Sequence, residues 1–287
     1  ENNALESMHT IFVREHNRCA IELADDNSDR TSDEIFEECR WFVMAYVQNI
    51  LYSEYSPLLL PEVGMAGVPG RLGQNLDAVY QGYNSSASPN VFNEFSAALF
   101  RYGHSELPTE VTRADFTNGN LIESIDLADS FFNPTQTPTP ESIDQILAGL
   151  WQDQQNEVDV FVIDDIRNQL FQNPADGGPP ADLIAFNLQR SRDHGLPSLN
   201  QLRVALQLAP YNDFEDLVAG GNGMMPSADQ QIVADNLRIV YGDVNNVELW
   251  IGGVAEPGFA GGNFGETLTF VVSLQYQNFR AADAYYY

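Results

Sequence analysis

Ala181-Asp182-Leu183-Ile184-Ala185-Phe186-Asn187-Leu188-Gln189-Arg190-Ser191-Arg192-Asp193-His194-Gly195-Leu196-Pro197 is the stretch on which the fold turns. It lacks the apolar–polar alternation of a half-buried strand, and Gly195 with Pro197 closes it as helices close, so it predicts a helix from Ala181 to Arg192. The same kind of pattern recurs on both sides. Upstream, Leu5, Met8, Phe12 and Cys19 mark one face of a helix from Leu5 to Ala24. Thr31 and Glu34 have capping-box spacing and open a second helix through Ile35, Phe42, Val43 and Val47, which Pro57 is expected to stop. Further helices are predicted over Val91–Gly103, Pro140–Trp151, Val158–Phe171, Ser198–Leu208, Ala228–Tyr241 and Gly265–Phe279, with a short apolar run at Leu249–Val254. The Gly/Pro/Asn/Ser-rich stretch from Leu60 to Pro89 reads as a long ordered loop, and residues 104–139 as irregular. The expected class is mainly α, with long irregular loops and little β.

The chain has 287 residues with 13 basic and 41 acidic side chains, so its formal charge is 13 − 41 = −28. Such a field repels nucleic acid and anionic membrane surfaces, which need a Lys/Arg surplus. Every cation is Arg; there is no Lys. An acidic, lysine-free surface suits a saline or extracellular setting, where salt screens self-repulsion. No stretch is long and apolar enough to span a bilayer. One large domain over residues 1–287 is the expectation from length.

Most motifs that could carry chemistry fail on inspection. Asp25, Asn27 and Asp29 imitate the start of a calcium loop, but Arg30 replaces the turning Gly and Phe36 the closing Glu. The Gly220-Gly221-Asn222-Gly223 and Gly261-Gly262-Asn263 clusters lack Rossmann spacing, and a chain without Lys has no Walker motif. There is no Gly-x-Ser-x-Gly elbow. Cys19 and Cys39 are too few for a zinc cage; either they pair across two packed helices or both are buried thiols. Of the four histidines, His9 and His16 stand two helical turns apart, too far to share a metal ion, and His16 lies in the polar cluster Arg14-Glu15-His16-Asn17-Arg18. His194 at a helix end reads as a cap. His104 differs: Gly103 before it removes a side chain just where a large flat ligand could approach.

Four segments carry a resemblance. Met8-His9-Thr10-Ile11-Phe12-Val13-Arg14-Glu15-His16-Asn17-Arg18, Phe100-Arg101-Tyr102-Gly103-His104-Ser105, Asn187 to Pro197 in the stretch above, and Leu249-Trp250-Ile251-Gly252-Gly253-Val254-Ala255-Glu256-Pro257 resemble, in that order, the animal-type haem peroxidases. A bacterial member of that superfamily is the expected kind. The resemblance implies a haem b cofactor with His104 as the axial ligand of its iron. It implies that Asn187 accepts a hydrogen bond from the other ring nitrogen, and that Arg101 and Arg190 pair with the haem propionates, a role suited to the planar guanidinium fork. Glu1 matches the residue that forms an ester with a haem methyl group; Asn2 after it implies no methionine sulfonium link. The Arg14–Arg18 cluster, Arg192-Asp193-His194 and the Trp250 segment read as ion-pair and packing elements.

In the family the distal His, the acidic residue forming a second ester, the calcium loop and the distal Arg all precede the position of Glu1. The chain is therefore expected to be the proximal portion of the domain, with calcium ligands and peroxide-cleaving groups outside it, on a longer product or a separate chain. The implied activity is reduction of hydrogen peroxide and oxidation of a halide, thiocyanate or phenol, in a secreted protein. Two alternatives stand beside it. One is a peroxidase-like adhesion or matrix protein without activity. The other is a fatty-acid dioxygenase, which needs a Tyr where this chain has Arg101.

Overall fold

The computed structural model describes residues 2–26, 29–60, 80–133, 135, 137, 139–170, 180–221 and 223–287. Helices dominate. α1 (Asn3–Asp26) and α2 (Ser32–Asn49) form an antiparallel pair, and Cys19 and Cys39 are joined in a disulfide with their Cα atoms 5.7 Å apart. Thr31 and Glu34 make both bonds of the capping box. Pro57 does not stop α2. The helix widens into a π-helical turn at Ile50–Tyr55 and continues as α3 (Ser56–Leu59); Pro57, which supplies no N–H, falls directly after the turn where the regular hydrogen-bond ladder is already shifted.

The predicted Val91–Gly103 helix is broken. α4 (Asn93–Ala97) ends at Ala98, whose φ of −135° and ψ of −79° leave the helical region, and the chain tightens into a 3₁₀ segment, Leu99–His104. The irregular region after it contains an antiparallel hairpin, β1 (Glu110–Ala114) with β2 (Leu121–Asp126), pairing Glu110 with Asp126 and bulging at Arg113/Ala114. α5 (Leu127–Ser130) follows, then α6 (Pro140–Gln152), capped by Thr139. Gly149 lets α6 lie on the hairpin: a Cβ there would come within 1.9 Å of the Thr112 carbonyl oxygen. Of the predicted Val158–Phe171 helix, only α7 (Asp164–Arg167) forms among the described residues; Val158, Val160 and Val162 pack on the core from a bent, non-helical stretch before it, and Phe171 lies outside the described residues.

The second half is closer to expectation: α8 (Leu183–Asp193), α9 (Leu199–Ala205), α11 (Ala228–Tyr241), α12 (Leu249–Ala255) and α13 (Glu266–Ala282), with a further helix, α10 (Phe214–Ala219), that the pattern did not predict. α13 is buried along most of its length and runs through the main core, where Leu268, Val272 and Tyr276 meet Leu99, Tyr102, Trp250 and Phe264. Beside this core lies a buried polar hub. Arg203, stacked 4.0 Å over the Tyr211 ring, donates to Glu256 at 3.0 Å, Thr267 at 2.9 Å, Glu266 at 2.7 Å and the Ala209 carbonyl at 2.8 Å. Glu256 also accepts from the Thr267 amide and hydroxyl and from the Tyr211 hydroxyl. No described helix is long and apolar enough to cross a membrane.

Candidate haem site

His104 ends the 3₁₀ segment, and α8 delivers Asn187 to it from 83 residues away: Asn187 Nδ2 lies 2.8 Å from His104 Nδ1. Asn187 is fully buried, and burial of an amide on an otherwise polar helix requires partners of this kind. Its carbonyl oxygen receives a long contact, 3.5 Å, from Arg101 Nη1. The amide nitrogen can only donate, so here Nδ1 accepts and Nε2 carries the ring proton, the reverse of the expected sense. A half-turn of the amide exchanges its two ends with little displacement; Oδ1 would then accept from Nδ1–H and free the Nε2 lone pair. In the present orientation Oδ1 faces Arg101 Nη1.

Burial, and then the positive charge of Arg101, lower the His104 pKa to about 4, so the imidazole is neutral at physiological pH, as metal ligation requires. Arg101, three residues before His104, is itself lowered, by burial first and then by Arg190. Its Nε donates to the Ser96 carbonyl at 3.1 Å. Arg190 stands one turn beyond Asn187 on α8 and is exposed. Seven other arginines are ion-paired within the described residues; Arg101 and Arg190 are not, although they are close enough to repel each other. Two neighbouring guanidinia with no ion-pair partner among the described residues, in a chain of charge −28, fit a ligand that brings two carboxylates. Gly103 fits a flat one: a Cβ there would meet only Glu106 Oε2, at 3.6 Å. Among the described residues no group of three or more His, Cys, Asp or Glu could hold a metal ion. Glu1 lies outside the described residues.

Three ties fix the floor of the site. Trp250 Nε1, buried in the core, donates to the Arg101 carbonyl at 3.2 Å. His194 caps α8, but its ring does not meet the helix carbonyls: Nδ1 is 2.7 Å from Asn93 Oδ1, and Asn93 Nδ2 returns to the His194 carbonyl at 3.5 Å. Asn93 has no spacing signal that could have singled it out. Arg192 grips Glu248 with two bonds of 2.6 and 3.1 Å. His16 is remote from His104 in its contacts, with Nε2 3.2 Å from the Phe36 carbonyl, while Arg18 pairs with Glu15 and Glu22 on the outer face of α1.

A mainly helical scaffold with a neutral imidazole backed by an amide and flanked by two arginines that form no ion pair among the described residues has the makings of a haem floor. The chain belongs to the animal haem peroxidase family, whose model matches residues 1–287. It is 31% identical to peroxinectin A of Dictyostelium discoideum over 287 residues, which is 100% of this chain and 49% of that protein. With mouse myeloperoxidase it shares 34% over 290 residues, covering 99% of this chain and 38% of the other. Among solved structures, peroxidase A from Dictyostelium discoideum superposes with a TM-score of 0.84 at 31% identity, covering 100% of this chain and 50% of that one. The fatty acid α-dioxygenase of Oryza sativa shares the fold, with a TM-score of 0.75 at 17% identity over 97% of this chain and 49% of that one. The chain thus spans about half the length of these relatives, or less.

Proposed function

We propose that this chain is the proximal portion of a secreted haem peroxidase that reduces hydrogen peroxide and oxidises a halide, thiocyanate or phenol. The observation that carries this reading is the His104–Asn187 pair with Arg101 and Arg190 beside it. His104 would hold the haem iron through Nε2, and Arg101 and Arg190 would hold the propionates. Haem b, once bound, supplies the two-electron redox chemistry that peroxide reduction needs. The chain's own work is to present and orient. Burial keeps His104 uncharged, and the turned Asn187 amide fixes the ring tautomer. As a neutral partner Asn187 leaves the imidazole less anionic than a carboxylate would, while the two arginines offset the propionate charge in an acidic protein.

The distal His and Arg that would move the peroxide proton and stabilise the departing hydroxide belong, on this reading, to residues outside the chain, together with the calcium ligands. An ester between Glu1 and the haem is part of the same proposal. The Cys19–Cys39 disulfide and the lysine-free acidic composition support an extracellular setting. The dioxygenase alternative is disfavoured: Arg101 stands where that chemistry needs a Tyr, and the neighbouring Tyr102 hydroxyl is engaged with Tyr55 at 2.6 Å. In the complete protein His104→Ala should abolish the Soret band. A variant with normal haem content and spectrum would overturn the assignment.

A further inference from the structure

Beneath the haem floor the structure places two phenols in contact. Tyr102, two residues before His104 and 3% exposed, packs on Phe264 with ring centroids 4.4 Å apart, and its hydroxyl lies 2.6 Å from that of Tyr55. Tyr55 closes the π-helical turn and is 39% exposed, beside exposed Leu58. Tyr102 has no other hydroxyl acceptor among the described residues, so its O–H donates to Tyr55, whose own ring is partly exposed.

A second aromatic route leaves Tyr102, through Phe100 (5.9 Å between centroids), Tyr276 (6.2 Å from Phe100) and Tyr52 (6.0 Å further). It runs into Arg280, whose guanidinium stands 4.9 Å from the Tyr52 ring, 4.4 Å from Tyr80 and 4.7 Å from Tyr286. Withdrawing an electron from a ring that already faces a cation is opposed by Coulomb repulsion. The direct hydroxyl contact of 2.6 Å to Tyr55 is a single step, against three ring-to-ring steps of 5.9 to 6.2 Å on the long route.

We infer that Tyr55 is a second oxidation site, at which phenolic donors too bulky to enter the haem pocket surrender an electron that passes through Tyr102 to the peroxide-oxidised haem. The inference rests on the peroxidase reading above. Tyr55 loses one electron to the haem and its phenolic proton to solvent. The docked phenol returns one electron and one proton to Tyr55 and leaves as a phenoxyl radical. Two such turns match one peroxide: H2O2 + 2 ArOH gives 2 H2O + 2 ArO•.

The test uses the complete, haem-loaded protein with hydrogen peroxide and a nitroso spin trap, read by electron paramagnetic resonance and peptide mass mapping. A phenol tethered to dextran serves as the bulky donor and iodide as the small one. The wild type should give a tyrosyl signal and an adduct on the Tyr55 peptide. Tyr55→Phe should lose the adduct and dextran-phenol oxidation but keep iodide oxidation, and Tyr55→Trp, which restores an oxidisable ring, should recover dextran-phenol oxidation. Dextran-phenol oxidation unchanged in Tyr55→Phe, or wild-type adducts only at other residues, overturns the inference while leaving the peroxidase reading intact. If peroxide does not alter the wild-type Soret band, the peroxidase reading fails and this site with it.

Discussion

Replacing Arg203 with Met keeps the aliphatic stem and removes the guanidinium from a hub whose ion pair with Glu256 has side-chain exposures of 3% and 0%. Four hydrogen bonds go, along with the stacking on Tyr211, and the Glu256 carboxyl loses its cation among the described residues. Breaking a buried pair from one side costs about 3–5 kcal/mol. Glu256 retains the Thr267 and Tyr211 donors, which places Arg203→Met near the lower end, roughly 3 kcal/mol, or a fall in Tm of roughly 6–10 °C. The loss should depend on pH. Burial already raises the Glu256 pKa, with Arg203 the chief opposing influence; without Arg203 it rises further. A carboxyl whose folded pKa exceeds its unfolded value of about 4.3 is no burden below that value and becomes one as pH climbs towards the folded pKa. Thermal and urea unfolding should therefore show a smaller deficit at about pH 5 than at about pH 7.5. Arg203→Met/Glu256→Gln should lose less than the sum of its single changes. A fall of under about 2 °C at neutral pH, or strict additivity in the double variant, would refute the view that the hub stands or falls as one unit.

Gly149→Ala should destabilise by about 1–3 kcal/mol or more, since its Cβ collides with the Thr112 backbone and must lift α6 off the hairpin. Gly195→Ala, at φ +62° with open space around it, should cost only about 1–2 kcal/mol, and equal urea midpoints for the two variants would contradict the packing account. Removing the disulfide by Cys19→Ser/Cys39→Ser opens a 20-residue loop and should cost about 3 kcal/mol, checked by urea unfolding with and without reductant. An unchanged midpoint would show that the α1–α2 pair needs no tether.

What could be read from the residues alone follows a physical division. Elements with local signatures were legible: the Thr31/Glu34 capping box and Ala228–Tyr241 match the structure at residue level. The hairpin was not, because β2 exposes five of its six residues and so lacks the alternation that marks a half-buried strand. Val158, Val160 and Val162 do alternate, yet they sit in a region read as helical. The break at Ala98 has no Gly or Pro to announce it. In the site, His104 stood out only weakly by itself, and its partners came from resemblance, since Asn187 reaches His104 across 83 residues and Arg101 reaches Asn187 across 86. The Arg203 hub joins residues 53 to 64 positions apart and leaves no local trace.

The bonds from Trp250 to Arg101 and between Asn93 and His194 have a mechanical consequence for the site. A short 3₁₀ segment carried on a loop would rock, and any metal–nitrogen bond at its tip would tilt with it. Here the segment is pinned from α12, and the stretches leading into His104 and out of Asn187 are pinned to each other. Imidazole and amide thus share one mounting, and the stiffness of their alignment is inherited from the slow, dense interior. Substitutions that loosen Asn93 or Trp250 would then register first as a broadened spread of ring orientations, before any change in which residues touch.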